Sequence, residues 1–390
     1  MSKRTEKERR AKFQLEADGF SIHTFELSKK YSFEEWNEMK EALYHAQGTN
    51  SKERIYRERG DGDEKNMEVH HYKKYHANGV RIFLERIKYE DNHSCYIRMI
   101  INPRKLVDPN SSYLGIFSTT EHCAEDIRES FFALFRGTTF DADMNSYKLR
   151  RIDFCTNIRC DKKNIFREIV RVLRKLPTPP KYKRIIHDDK DKKKKNKYNK
   201  HYIKFKCGTH ALVIYDKTYQ LKENKILTDY ECHSSSVLRF EVCCERKYIR
   251  EVEKKEGIFE VIALLEHFLE SAEKNLVKHF KQCFQDVSFR KKDSLEKLIS
   301  ECGYSEKNKK AMLELIKTLV GTQSVDKAIE KLERRGMDMA GVLERFSKLG
   351  VSPIPLRKNF NGQELPSIRA LLNGVAKGEV CVDYIRIKHR

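Results

Sequence analysis

One order of segments occurs twice in the first 290 residues, and it constrains the fold more than any other feature of the chain. A strand-like run is followed by a helix-like run, three further strand-like runs and a second helix-like run. The strand-like runs alternate apolar with polar residues, as expected of strands with one buried face. Strands joined by short turns favour an antiparallel sheet with helices on one face. The sequence therefore predicts an α+β fold of two tandem antiparallel-sheet βαβββα-like units, with two unrelated α+β segments as the alternative.

The predicted units are flanked by segments of different character. Residues 19–145 form the first predicted α+β unit, and residues 146–290 form the second. Residues 1–18 are charged and have no apolar run, which predicts a flexible basic arm. Residues 291–350 contain four short helix-like pieces with Ser or Asp before them and Gly after them, which predicts a small helical domain. Residues 351–390 are predicted to be a weakly ordered basic tail.

The charge balance indicates the class of partner. The chain has 79 Lys and Arg against 58 Asp and Glu, and a formal net charge of +21 favours a polyanion. Membrane phospholipid is the rival polyanion, but no apolar run approaches the roughly 20 residues that a spanning helix needs. The 11 cysteines include no CxxC spacing, which indicates reduced thiols in a cytoplasmic compartment and disfavours cysteine-ligated zinc. Nucleic acid is therefore the expected partner, with no membrane association.

Three strands of the second predicted unit each have one apolar face and one face that carries charge. The apolar faces consist of Ile152, Phe154, Leu212, Ile214, Leu238, Phe240 and Val242. If these faces meet the helices, the other side of the sheet collects six polar side chains. Those six are Arg151, Asp153, Tyr215, Lys217, Arg239 and Glu241. The predicted face therefore holds two carboxylates, one phenol and three cations.

This set of side chains suits phosphodiester transfer. The phenol of Tyr215 could attack a DNA phosphate and hold it as a covalent ester, which divides cleavage and rejoining into two easier steps. A divalent metal on Asp153 and Glu241 would polarise the phosphate, and oxygen ligands favour Mg²⁺ or Mn²⁺. Lys217 or Arg239 would offset the charge that grows on the phosphate oxygens. The alternative is a set of ordinary ion pairs on an open sheet face, which are common and weak.

The same residues resemble a known family. They form the short motifs R-x-D, Y-acidic-K and R-x-E at Arg151–Asp153, Tyr215–Lys217 and Arg239–Glu241. Motifs of this form and order are similar to those of rolling-circle replication initiators of plasmids and filamentous phages, the Rep-trans type, over roughly residues 145 to 255. The resemblance implies a site-specific nickase that forms a 5′-phosphotyrosyl link at an origin and primes replication with the free 3′ end. It implies Tyr215 as the nucleophile and Asp153 and Glu241 as candidate metal ligands.

Some positions depart from the family pattern or have no assigned role. Asn157 stands where the family often has a further acid, and the adjacent His70 and His71 do not form a His-hydrophobic-His metal motif. Asp216 points away from the face of Tyr215 by strand alternation unless a bulge intervenes. Tyr219 could serve a second transfer or be a loop aromatic. The first predicted unit lacks the polar set and is expected to be catalytically empty.

A lysine-rich segment precedes the strand that carries Tyr215. Residues 181–200 contain ten Lys or Arg and three Asp. Such a segment predicts contacts with backbone phosphates and strongly salt-dependent binding, although a solvated loop has the same composition. The predicted DNA-binding residues are Arg151, Lys192, Lys193, Lys194, Lys195 and Lys197.

Two classes of function follow from these features. The first is a rolling-circle initiator that acts on origin duplex and single-stranded DNA, or a conjugative relaxase with the same chemistry. The second is a non-catalytic DNA-binding protein whose sheet face grips single strands. The sequence has no P-loop, so opening of the duplex would need a helicase from the host. Origins with inverted repeats would suit a homodimer.

Overall fold

A computed structural model describes residues 13–47, 66–89, 92–160, 162–186, 199–226, 236–360, 362, 364–377, 379–382 and 385–389. Helices and a large, mostly antiparallel sheet together make up the fold, which confirms the predicted α+β class. The tandem repetition of two βαβββα-like units remains a prediction.

The strands and helices are numbered in chain order. The strands are β1 (Phe13–Ala17), β2 (Ser21–Tyr31), β3 (Asn66–Tyr72), β4 (Val80–Tyr89), β5 (Asn92–Ile101), β6 (Lys148–Cys160), β7 (Lys183–Ile185), β8 (Tyr202–Lys206), β9 (His210–Asp216), β10 (Ser236–Glu245), β11 (Phe289–Arg290), β12 (Glu364–Leu365), β13 (Glu379–Val382) and β14 (Ile385–His389). The helices are α1 (Phe33–Gln47), α2 (Pro103–Val107), α3 (Ala124–Phe135), α4 (Lys163–Arg174), α5 (Lys217–Glu223), α6 (Arg246–Glu256), α7 (Val261–Glu270), α8 (Ala272–Cys283), α9 (Lys292–Glu301), α10 (Glu306–Gly321), α11 (Val325–Glu333), α12 (Val342–Lys348) and α13 (Ile368–Lys377).

The chain divides into two compact units, and each is built from segments that are far apart in the sequence. The Tyr215 unit consists of residues 1–20, 156–242 and 273–390. The Asp153 unit consists of residues 21–155 and 243–272. Strands β6 and β10 each contribute residues to both units. The domain boundaries predicted from the sequence are continuous segments, so they describe a different division of the chain and remain predictions.

In the Asp153 unit the strand order is β3-β4-β5-β2-β6, and neighbouring strands are antiparallel. The α1 helix begins with a capping box, in which Glu35 N–H donates to Ser32 Oγ at 3.1 Å and Ser32 N–H donates to Glu35 Oε2 at 2.8 Å. Gly79, just before β4, has a φ of +75°, and a Cβ there would lie 2.4 Å from Lys105 Cβ. Only glycine fits this position, because it needs a left-handed backbone and has no room for a side chain.

In the Tyr215 unit the strand order is β6-β10-β9-β8-β7, and β1 pairs with β6 and β14. Residues 273–283 of α8 and the chain just after them cover the apolar side of these strands. The rings of Phe240 and Phe280 lie 5.6 Å apart, and those of Phe205 and Phe284 lie 5.9 Å apart. Helix α4 buries the apolar stripe that its sequence predicts, namely Ile165, Ile169, Val170 and Leu173. The side of the strands opposite these helices is therefore left for polar residues.

The helical segment that follows residue 290 packs within the Tyr215 unit. The amide of Val325 donates to Lys175 O at 2.9 Å, and Thr178 Oγ1 donates to Asp326 Oδ2 at 2.6 Å. Both contacts join the start of α11 to the chain after α4. The four predicted helical pieces correspond to α9 to α12.

Several parts of the chain differ from the secondary structure that the sequence predicts. Residues 13–17 of the predicted flexible arm form β1, where Leu15 and Ala17 are buried. The long helix predicted from Gly257 to Phe284 is divided into α7 and α8 at Ser271, and α6 precedes it. Residues 351–390, which the sequence predicts as a weakly ordered tail, contain α13, β12, β13 and β14. Val351, Ile354 and Leu356 are buried there.

Candidate active site

Tyr215 and Glu241 form a hydrogen-bonded pair on the neighbouring strands β9 and β10. The phenol Oη donates to Glu241 Oε1 at 2.7 Å. Strand alternation places both side chains on the face opposite Leu212 and Phe240, as the sequence predicts. A carboxylate at this distance can accept the phenol proton. The pair therefore has the geometry of a nucleophile and its base.

The face that holds this pair is buried. Tyr215 is 4% exposed, Glu241 is 6% exposed and Arg239 is fully buried. Strand alternation separates apolar from polar side chains but does not show whether the polar face is covered. A DNA phosphate could reach the phenol of Tyr215 only if the groups that cover it moved aside.

Arg239 belongs to a chain of hydrogen bonds that extends to β6 and to the residues after β1. Its Nε donates to Asn157 Oδ1 at 2.7 Å, and Asn157 Nδ2 donates to Asp18 Oδ2 at 2.7 Å. Arg159 Nε and Nη2 donate to the two oxygens of Asp18 at 2.9 and 2.8 Å. Burial opposes ionisation of Asp18, but the hydrogen bonds and charge of Arg159 hold its pKa below the usual range. These bonds fix the Arg239 guanidinium in place.

Asp18 and Arg159 are not among the site residues predicted from the sequence, whereas their neighbour Asn157 is noted there as a departure from the family pattern. Arg159 lies two residues beyond Asn157 on the same strand face, so alternation could have identified it. Asp18 gives no such signal, because it lies in the loop between β1 and β2.

Lys217 does not lie on the strand face with Tyr215. It is the first residue of α5, because Asp216 ends β9 and caps the helix by accepting a hydrogen bond from Tyr219 N–H at 2.9 Å. Lys217 Nζ still lies 5.8 Å from the centre of the Tyr215 ring, and it donates to Gln220 Oε1 at 3.0 Å. The helix cap therefore explains both the position of Lys217 and the role of Asp216 that the sequence leaves open.

A second phenol lies beside Tyr215. Tyr202 on β8 pairs directly with Tyr215 in the antiparallel register, and their ring centres are 6.0 Å apart. Tyr202 is half-buried, whereas Tyr215 is buried. Tyr202 is not among the predicted site residues, although pairing residues outward from the turn between β8 and β9 would have placed it opposite Tyr215.

Asp153 and Arg151 belong to an ion-pair network in the Asp153 unit. Arg151 Nε lies 3.1 Å from Asp153 Oδ1, and Arg151 Nη1 lies 3.6 Å from Glu26 Oε2. Thr24 Oγ1 donates to Asp153 Oδ2 at 2.5 Å. Arg98 lies 3.3 Å from Glu26 and 2.6 Å from Glu85. Burial acts to lower the pKa of Arg151, but the charges of Asp153 and Glu26 raise it above the usual range.

The proposed metal ligands can be compared with the chemistry of their surroundings. Carboxylate oxygens suit Mg²⁺ or Mn²⁺. Glu241 accepts a hydrogen bond from a neutral phenol, whereas Asp153 is already paired with a guanidinium. Within the described parts of the chain, no three or more His, Cys, Asp or Glu side chains are arranged to hold a metal ion. The donor type is the same at both positions and suits these metals, and the metal remains a proposal.

Of the predicted DNA-binding residues, the structure describes only Arg151. Arg151 is held by two carboxylates, so its charge is largely neutralised. Lys192, Lys193, Lys194, Lys195 and Lys197 lie outside the described residues. In the described part of the chain, no helix has the length and apolar character needed to cross a bilayer.

No protein family matches the sequence, and no curated protein matches it. The rolling circle replication initiator protein from Geobacillus stearothermophilus is similar in structure with a TM-score of 0.30 and 11% sequence identity, over 76% of this chain and 91% of that chain. Because proteins with that TM-score need not share a fold, membership of this family stays a hypothesis.

Proposed function

We propose that the chain nicks and rejoins one strand of DNA through a tyrosyl ester and thereby initiates rolling-circle replication. The observation that supports this most is the hydrogen bond between Tyr215 Oη and Glu241 Oε1, at 2.7 Å, beside a fixed arginine. A phenol with a base in contact is what covalent strand transfer requires. The net charge of +21 agrees with a nucleic-acid substrate.

The proposed reaction balances with the groups of this chain. The Tyr215 oxygen attacks the phosphorus of a phosphodiester, and the phenol proton passes to Glu241. The bond to the 3′ oxygen breaks, and that oxygen takes a proton from water. The products are a 5′-phosphotyrosyl ester and a free 3′ hydroxyl. Rejoining is the reverse attack by a 3′ hydroxyl on the ester.

Two cations are proposed to assist the transfer. Arg239 is fully buried and held by Asn157, so its charge is fixed before the substrate arrives. Lys217 lies 5.8 Å from the Tyr215 ring and would favour the phenolate. The carboxylate of Glu241 is the proposed ligand in this unit for Mg²⁺ or Mn²⁺, which would polarise the phosphate when bound. In this proposal a host helicase opens the duplex, and a homodimer would fit an inverted-repeat origin.

The direct test is a denaturation-resistant adduct between the protein and DNA. Purified protein is incubated with supercoiled DNA of its own replicon in Mg²⁺ or Mn²⁺ and then separated under denaturing conditions. We expect an adduct in wild type, none in Tyr215→Phe, and none after EDTA removes the metal. Tyr202→Phe is the matched control, because it removes the neighbouring phenol and leaves Glu241 with its partner.

The outcomes distinguish the nucleophiles. An adduct that is lost in Tyr202→Phe and kept in Tyr215→Phe would assign the reaction to Tyr202. An adduct that still forms in the presence of EDTA would refute the proposed requirement for Mg²⁺ or Mn²⁺.

A second candidate function is supported by the burial of the polar face. Tyr215 and Glu241 are 4% and 6% exposed, which suits a structural role in a non-catalytic DNA-binding protein. This candidate predicts DNA binding by wild type with no adduct in any metal, and equal binding by Tyr215→Phe.

A further inference from the structure

A cavity of about 430 Å³ in the Tyr215 unit is lined mainly by cations. It lies among α4, α5 and the starts of β8 and β10. Along α4, the lining residues Lys163, Arg167, Arg171 and Arg174 recur at the spacing of one helix face. Lys200 and Lys222 lie across the cavity. A volume of this size is typical of ligand sites, which measure about 300–1,000 Å³.

Of the carboxylates near this cavity, Asp216 caps a helix and Glu168 neutralises one lining cation, Arg171. Asp216 accepts a hydrogen bond from Tyr219 N–H and lies 3.0 Å from His201 Nδ1. Glu168 pairs with Arg171 at 2.6 Å. Burial and the charge of Arg171 lower the pKa of Arg174, so the guanidinium groups of α4 repel one another. An anion in the cavity would relieve that repulsion.

The cavity also contains an aromatic surface. The rings of Tyr219 and His201 are stacked, with centres 3.8 Å apart and planes 9° apart. Both residues line the cavity and are only partly buried. A flat pair of rings beside cations is the arrangement that binds unpaired bases, since every base has a π-face and adjoins a phosphate.

A second basic cavity continues the first. It has a volume of about 940 Å³ and shares Arg171 and Arg357 with the smaller cavity. Lys175, Lys292 and Lys358 also line it. Burial, followed by the charges of Arg171 and Arg174, lowers the pKa of Lys175 to about 8. Two adjoining cavities with shared cations favour an elongated anion over a single nucleotide.

The two adjoining cavities, here called the basic track, are separate from the Tyr215–Glu241 pair. Asp216 follows Tyr215 directly, and successive residues of a strand face opposite sides of the sheet. The cavity that Asp216 lines is therefore on the α4 side, away from the phenol. Arg151, where the sequence also predicts a DNA contact, lines neither cavity.

We propose that this track binds a segment of single-stranded DNA, with phosphates along the α4 cations and one unpaired base against Tyr219. The choice of DNA rests on the proposed function. Binding at the track is nevertheless independent of the chemistry at Tyr215.

The test is the affinity of the full chain for a fluorescent twelve-nucleotide thymidine strand across a range of salt concentrations. Lys163→Gln/Arg167→Gln removes two exposed cations of the track, and about tenfold weaker binding is expected, with a salt slope lower by about 1.4. Tyr219→Ala is expected to weaken binding about tenfold, whereas Tyr219→Phe keeps the ring and the affinity. Lys331→Gln/Arg335→Gln removes the same charge at exposed positions outside both cavities and is the matched control.

The outcomes separate this inference from the proposed function. Equal losses in the track variant and the control would overturn the inference, because only net charge would then matter. Tighter binding of a uridine strand or of free nucleotide would overturn the assignment to single-stranded DNA. Loss of binding in the track variant, with no adduct in wild type, would support the track and refute strand transfer. Thermal unfolding of each variant verifies that it folds.

Discussion

The polar strand faces of the two units differ in how their charges are satisfied. In the Asp153 unit, Asp153 and Glu26 form ion pairs with Arg151. Asp153 also accepts a hydrogen bond from the hydroxyl of Thr24. In the Tyr215 unit, Glu241 accepts a hydrogen bond from the phenol of Tyr215. A carboxylate next to a guanidinium is neutralised, whereas a carboxylate next to a phenol can take its proton. We propose that the contacts of Asp153 are structural and that the Tyr215–Glu241 pair is reactive.

The largest expected effect that sharpens this comparison is on activity at Glu241. Glu241→Gln keeps an oxygen that accepts the phenol hydrogen bond but cannot take the proton. We expect adduct formation to slow by about 10²–10⁴-fold, the usual contribution of a general base. Stability should fall by only about 1 kcal/mol, since the hydrogen bond is retained in neutral form. The rate of adduct formation and thermal unfolding measure the two effects. If the rate falls only in proportion to the fraction of folded protein, Glu241 is a structural residue.

The next effect is on stability in the Asp153 unit. Asp153→Asn removes the carboxylate that faces the Arg151 guanidinium. We expect a loss of about 3 kcal/mol in the free energy of unfolding, at the lower end for a broken buried pair because Arg151 keeps Glu26. Urea unfolding measures it. The double variant Arg151→Met/Asp153→Asn should lose less than the sum of the single variants, and strict additivity would contradict a coupled network.

A smaller effect is expected on acidification. Burial is the largest cause that lowers the pKa of His279 in the Tyr215 unit, and of His71 in the Asp153 unit, each to about 4. The unfolded chain takes up these protons below pH 6.5, before the folded chain does, so stability is lost as pH falls from about 6.5 towards 4. His279→Gln and His71→Gln should each flatten that part of the curve of unfolding midpoint against pH. An unchanged curve in both would show that other groups cause the acid loss.

The smallest effect is expected in alkali. Burial and the neighbouring arginines lower the pKa of Lys175 in the folded chain to about 8. Between pH 8 and about 10.5 the unfolded chain binds the proton that the folded chain has released, so this group makes stability rise with pH. Lys175→Met should remove the rise. Single-stranded DNA bound at the track should also reduce it, by favouring the charged lysine, and a rise of equal size with and without DNA would place the ligand elsewhere.

Strand alternation in the sequence predicts much of the site but not its environment. Residues of β9 and β10 face the sides that their pattern indicates, which brings Tyr215 to Glu241. Lys217 breaks the pattern because the Asp216 cap starts a helix there, a signal that a capping rule could have found. Strand β1 pairs with β14, so that Phe13 lies opposite Ile385. This pairing is made by backbone groups and cannot be recognised from the pattern of side chains. Burial of the polar face could not be predicted for a similar reason, since it depends on long-range packing.

The most direct measurement of the central claim is the identity of the residue that carries DNA. The adduct is digested with nuclease and trypsin, and the peptide that retains a nucleotide is found by mass spectrometry. Tyr202, Tyr215 and Tyr219 lie on three different tryptic peptides, because Lys204, Lys206 and Lys217 separate them. We predict a nucleotide phosphate on the peptide from Cys207 to Lys217. A nucleotide on either of the other two peptides, or on none, would contradict strand transfer by Tyr215.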